Sequence, residues 1–282
     1  MRTLLYAIPL LLLAACAEPA GDGYEDRMAE EHQGDTTDAT PMTDSDGVAV
    51  ESGEVVYGEV NGNTLTGYMA VPAGLDSAAA AVLPGVIVIQ EWWGLNDNIR
   101  AMADRLAGQG YRALAVDLYN GEVADQPEQA RQLMSAARED MDALRQNVVA
   151  AHTALTETFG APQVGSIGWC FGGAMSLQTA LALPEQLDAA VIYYGNLVQD
   201  EAQLATLSMP IIGFFGSEDG GIPVDGVRQF ESTLNDLGKN VEIHVYDGAD
   251  HAFANPTGQN YQEAAAEDSW EKTTAFFAEH LR

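Results

Sequence analysis

Residues 164–175 read VGSIGWCFGGAM. A short apolar run meets Cys170, which has a glycine two residues away on either side, and Ala, Met and Leu residues suited to a helix follow. Gly168-Trp169-Cys170-Phe171-Gly172 has the form G-x-S-x-G with cysteine in place of serine. That form marks a sharp strand-to-helix turn that presents a nucleophile above a sheet. Read this way, Val164–Trp169 is a strand, Phe171–Leu183 is a helix and the sheet is mainly parallel. Alone, the motif favours a small buried hydrophobe over a nucleophile, because free cysteine is among the most buried residue types. The rest of the chain has to decide.

Working outward, the same texture recurs. Gly85–Gln90 (GVIVIQ) is a continuous apolar run, as expected of a strand covered on both faces. Tyr111–Leu118, Ala189–Tyr194, Ile211–Phe215 and Val241–Tyr246 read as further strands. Helices are predicted over Asn98–Gly108, over Pro127–Phe159 as one long or two shorter pieces, and over Val224–Leu237 and Tyr261–His280. Before them, Glu54–Val60 and Thr64–Val71 flank Asn61-Gly62-Asn63, a hairpin signal. Six buried strands alternating with helices after an antiparallel hairpin imply α/β units. The expected fold is a three-layer α/β sandwich with a mainly parallel sheet, in a single domain over residues 54–282.

In such sheets, catalytic groups gather at the carboxyl ends of the strands. Cys170 ends one strand and opens a helix, whose free N–H groups and dipole favour a thiolate. Asp219 follows Ile211–Phe215, His251 follows the last strand, and Glu91 follows GVIVIQ. The order nucleophile, acid, histidine is that of α/β-hydrolases. Among the other histidines, His32 falls in an acidic N-terminal stretch, His152 on a helix, His244 in a strand and His280 near the C-terminus. Asp250 adjoins His251, but a sequence neighbour rarely curls back onto the ring, so Asp219 is the better orienter. Asp117 is the alternative carboxylate, with a structural role in its loop favoured. No metal-ligand spacing, P-loop or G-x-G-x-x-G is present, so no cofactor or metal is expected.

QEWWGLN (90–96), DLY (117–119), GWCFGG (168–173), YYG (193–195), GSEDGGIP (216–223) and DHAFAN (250–255) together resemble, in order and spacing, the dienelactone hydrolase (carboxymethylenebutenolidase) family. The resemblance runs from about Glu54 to Arg282. It implies Cys170 as nucleophile, His251 as base, Asp219 as its orienter and Glu91 as a second carboxylate near the thiol. It further implies the backbone N–H groups of Trp92 and Phe171 as oxyanion donors. The family's founding members grip an anionic substrate with arginines, one of them four residues after the histidine. That position is Asn255 here, and Arg131 does not supply the other convincingly. Trp93, Tyr193, Tyr194 and Asn255 are candidate substrate-binding residues for a less anionic ligand, although core packing explains the tyrosines about as well. A small activated ester or lactone is the expected substrate, cleaved through a thioester. The competing reading is a non-catalytic ligand-binding lipoprotein on the same fold. A redox thiol protein is disfavoured because no C-x-x-C is present.

Composition sets the outer bounds. The 282 residues carry 12 Lys+Arg against 42 Asp+Glu, a formal charge of −30, which disfavours nucleic acid as a partner. A monomer is expected. Leu4–Ala15 is an apolar run too short to span a membrane, and it ends Leu13-Ala14-Ala15-Cys16. This resembles a lipoprotein signal peptide (1–16), in which Cys16 carries the lipid that anchors an exported protein to a bacterial cell envelope. Residues 17–53 are acidic and poor in bulky apolar side chains, so a disordered tether is expected there.

Overall fold

The structure is a computed structural model and describes residues 48–282 together with Arg27, Met28, Glu31 and His32. The signal-peptide segment and Cys16 lie outside the described residues. Among those described, no helix is long and apolar enough to cross a membrane.

The hairpin is β1 (Val50–Val60) and β2 (Asn63–Pro72), closed by Asn61 and Gly62, both at positive φ (52° and 80°). A two-residue turn of that kind matches the strand twist. Six further strands follow: β3 (Gly85–Ile89), β4 (Arg112–Val116), β5 (Val164–Trp169), β6 (Ala189–Tyr193), β7 (Ile211–Gly216) and β8 (Val241–Tyr246). The eight strands form one sheet in the order β1-β2-β4-β3-β5-β6-β7-β8. β2 joins β4 antiparallel, and from β4 to β8 all neighbours are parallel. The helices are α1 (Ser77–Ala80), α2 (Asp97–Gly108), α3 (Pro127–Arg138), α4 (Met141–Thr153), α5 (Phe171–Ala182), α6 (Glu201–Leu204), α7 (Val224–Asp236) and α8 (Glu263–Leu281).

Every residue of β3, β5, β6 and β7 is buried, which is why these strands read as unbroken apolar runs instead of alternating ones. β1 begins at Val50, and the N–H of Val48 bonds the carbonyl of Gly108. The domain therefore starts before Glu54, where the sequence boundary was drawn. Early β1 has mostly exposed side chains, so its pairing with β2 leaves no apolar signature. Residues 127–158 divide into α3, α4 and a closing π-helical turn, Ala154–Thr158. Asp140 makes the break by accepting the N–H of Ala143 (2.9 Å), a side-chain cap that starts a new helix.

Sequence order reverses around β3, whose neighbours are β4 on one side and β5 on the other. In open α/β sheets such a switch point leaves a crevice outside the strand ends. Glu91 and Trp92 follow β3 there, and Cys170 follows β5. The approach between the two segments is close. A Cβ at Gly172 would lie 2.3 Å from the Ile89 carbonyl oxygen, and one at Gly168 would lie 2.1 Å from the Gly172 carbonyl oxygen. Gly168→Ala is therefore expected to lower stability by about 1–3 kcal/mol, the usual range for forced overpacking. A thermal midpoint equal to that of the unsubstituted protein would refute this account of the turn.

Candidate active site

Cys170 is the junction of β5 and α5. Its backbone has φ 55° and ψ −118°, a conformation L-residues rarely adopt, and its N–H is tied to the Tyr193 carbonyl (3.1 Å). Such a residue costs roughly 1–3 kcal/mol and persists only where its surroundings dictate it. Cys170 thereby stands immediately before the N-terminus of α5.

Two loops bring the partners. The loop after β7 carries Asp219 and the loop after β8 carries His251. His251 Nδ1 bonds Asp219 Oδ2 at 2.8 Å, and both side chains are fully buried. Asp219 Oδ1 accepts the N–H groups of Gly221 (2.9 Å) and Ile222 (2.8 Å), so the carboxylate cannot swing away. Asp250 instead accepts the backbone N–H of His251 (2.7 Å). Asp117 folds onto the N–H groups of Tyr119 and Gly121 in its own loop, the structural role favoured from sequence.

The electrostatics follow from this packing. Burial raises the Asp219 pKa, but His251 and the two N–H groups outweigh it and hold the carboxyl below its ordinary value. Burial lowers the His251 pKa, yet Asp219 and Cys170 raise it well above that of free imidazole. Burial pushes the Cys170 thiol up, while His251 and then His32 pull it down to about 6. Each partner thus favours the charged form of the other, a thiolate beside an imidazolium.

Glu91 is buried beside this group and accepts a hydrogen bond from Asn255 Nδ2 (2.8 Å). Asn255 Oδ1 in turn receives the N–H of Thr257 (2.9 Å), and Asn98 Nδ2 lies 3.5 Å away. Asn255 therefore positions Glu91, a role the sequence did not suggest. Tyr194 packs edge-on against His251, with ring centroids 5.1 Å apart. Trp93 packs edge-on against Trp92 at 5.1 Å. Gly172 at the start of α5 seats closely on the Ile89 and Gln90 carbonyls at the end of β3, where an added Cβ would lie 2.3 and 2.5 Å from their oxygens. Tyr193 must be taken off the substrate-binding set. Its hydroxyl bonds Thr273 of α8 (2.7 Å) and its ring packs on Phe214, so it belongs to the core. Arg131 ion-pairs with Glu128 on the exposed face of α3 (3.1 Å).

The largest departure from the sequence reading lies in the supposed tether. Met28 and His32 occupy a helical turn, with the His32 N–H bonded to the Met28 carbonyl (3.1 Å), and both are fully buried. His32 Nε2 stands 3.7 Å from Cys170 Sγ, and Met28 Sδ is also 3.7 Å from it. The His32 ring stacks on Trp92 (centroids 4.7 Å, 29°) and meets His251 edge-on at 5.2 Å. Glu31 lies against Asp250 and Asp219, and burial together with those two charges raises its pKa. The stretch around His32 lacks apolar bulk, so composition alone gives no reason to place it at the site. The signal that could have found it is the spacing of Met28 and His32, four residues apart and hence on one helical face.

With these side chains in place Cys170 has no exposed surface, so a reagent reaches Sγ only after they move. Iodoacetamide alkylation should rise through about pH 6 and level off above it, because the thiolate reacts and the thiol does not. The double variant Met28→Ala/His32→Ala is expected to alkylate about tenfold faster at the plateau, with a higher midpoint because one stabilising imidazole is gone. Unchanged rate and midpoint would mean that the segment does not sit on the thiol in solution.

Comparison with known proteins gives a consistent picture. A family model described as "Dienelactone hydrolase family" matches residues 66–281. "Protein usf" of Aquifex pyrophilus is 35% identical over 236 residues, covering 81% of this chain and 99% of that protein. A "Putative carboxymethylenebutenolidase" of Aquifex aeolicus is 31% identical over 238 residues, covering 82% and 100%. A crystal structure from Klebsiella pneumoniae subsp. pneumoniae, described as a "Putative Dienelactone Hydrolase", superimposes with a TM-score of 0.72 at 30% identity. It covers 82% of this chain and all of that one.

Proposed function

Because this chain belongs to the dienelactone hydrolase family of ester and lactone hydrolases, we propose that it cleaves small activated esters or lactones through a thioester on Cys170. The observation that carries the reading is the buried line Asp219–His251–Cys170 at the switch point of the sheet. The Cys170 thiolate attacks the acyl carbonyl, and the developing alkoxide is met by the Trp92 and Phe171 N–H groups. Collapse expels the alcohol or enolate, which takes its proton from the His251 imidazolium. His251, now neutral, draws a proton from water, and the hydroxide releases the acid and restores the thiolate. Glu91, steered by Asn255, is the second carboxylate that accompanies proton movement at the thiol.

Thiolate is a good leaving group as well as a good nucleophile. An acyl group therefore stays on sulfur only when the departing oxygen leaves more readily, which favours enol esters and phenyl esters over amides. Asn255 stands where an arginine clamp would bind a substrate carboxylate, so neutral substrates suit this site better. Lipid anchoring at Cys16 in a bacterial envelope completes the proposal.

The test is rapid quenching of a reaction with p-nitrophenyl acetate, followed by peptide mass mapping. An acetyl group on the Cys170 peptide is expected. Turnover with acetyl on another residue, or with no acyl-enzyme at any quench time, would overturn the proposal.

A further inference from the structure

Cys170, His251 and His32 present three ligand atoms that all lie within 4.8 Å of one another, and all three residues are buried. We propose that they form a binding site for one thiophilic metal ion, Cu⁺ or Zn²⁺, which would clasp the 27–32 segment onto the catalytic pair. The donors are a thiolate and two imidazoles, a set that suits these ions and does not suit Mg²⁺ or Ca²⁺. With metal–sulfur bonds of ~2.3 Å and metal–nitrogen bonds of ~2.05 Å, tetrahedral or trigonal bonding places sulfur and nitrogen ~3.6–3.8 Å apart. Cys170 Sγ and His32 Nε2 stand at 3.7 Å.

The surroundings have the character of a metal site as well. Asp219 holds His251 Nδ1 at 2.8 Å, leaving Nε2, which has no hydrogen-bond partner among the described residues, as the nitrogen open to a metal. A carboxylate behind a ligating histidine is the usual arrangement that fixes tautomer and ring orientation. Met28 Sδ, 3.7 Å from Sγ, adds a thioether on the same side. Thioethers favour Cu⁺ over Zn²⁺, so Met28 is the residue that tells the two ions apart. On binding, the ion replaces the proton on His251 Nε2, which passes to solvent, and no electron is transferred. Occupancy silences the nucleophile and its base together and keeps the segment closed.

The assay is competition for Cu⁺ against a chromophoric chelator under reducing, anaerobic conditions, and for Zn²⁺ against a fluorescent indicator, on the full exported chain. It uses no substrate, so its result is independent of whether Cys170 carries an acyl group. One ion per chain is expected. His32→Ala should weaken both ions about 100-fold or more, the upper end of what even outer-shell changes cost. His32→Cys should restore binding, which separates a ligand role from a loss of fold. Met28→Leu should weaken Cu⁺ and leave Zn²⁺ unchanged. Affinity within threefold of wild type in His32→Ala, or no 1:1 binding in the unsubstituted protein, would overturn the site. Equal loss for both ions in Met28→Leu would remove Met28 from it.

Discussion

Replacing Cys170 with alanine should reduce p-nitrophenyl acetate turnover by about 10⁴–10⁶-fold, the range seen when a hydrolase loses the nucleophile of a cooperating triad. The expectation rests on how little else the site offers. The nearest polar partners of the sulfur among the described residues include His251 and His32, and neither imidazole holds an acyl group as sulfur does. What remains after the substitution is the oxyanion donors and binding alone. The fold should survive, because alanine is smaller than cysteine and adopts the same φ of 55° no less easily. Steady-state rates with matched circular dichroism spectra decide the matter. Retention of more than about a hundredth of the rate would place the nucleophile elsewhere.

The second large effect belongs to Asp219→Asn. The amide keeps the shape of the carboxylate and its contacts with the N–H groups of Gly221 and Ile222, so the loop stays folded. What changes is the partner of His251 Nδ1. An amide nitrogen can donate to Nδ1, which would drive the proton to Nε2 and leave nothing to take the proton of an attacking water. The equivalent change in serine triads costs about 10⁴-fold, or about 5.5 kcal/mol of transition-state stabilisation. Because Asp219 also helps keep His251 charged, the thiol should become less acidic, and the midpoint of alkylation should move upward from about 6. A rate loss below tenfold would mean that His251 is oriented by something else.

The features legible in sequence share a physical cause. β3, β5, β6 and β7 are covered on both faces, and only continuous apolar runs survive such burial, so they stand out against any background. The elbow around Cys170 is equally legible, because backbone approaches of 2.1–2.3 Å to a would-be Cβ permit glycine alone. Asp219 and His251 were found from strand ends and chain order. The role of Asn255 was not, since its bond to Glu91 spans 164 residues and depends on loop shape. Tyr193 was left between pocket and core because the side chain that ends a strand can face either layer, and here it faces α8. Met28 and His32 were hidden by averaging. A window of acidic and small residues reads as disordered even when two of its side chains are buried against the domain. Burial of this kind depends on the partner surface, which the local composition does not encode.

The seated turn also sets a length scale. If Cys16 is held in a bilayer, the 11 residues from 17 to 27 span at most ~40 Å, whereas the 31 residues from 17 to 47 span at most ~110 Å. Under that anchor, seating His32 would hold the domain within the shorter reach, and releasing it would open a volume some twentyfold larger, so the event that uncovers the sulfur would also lengthen its leash.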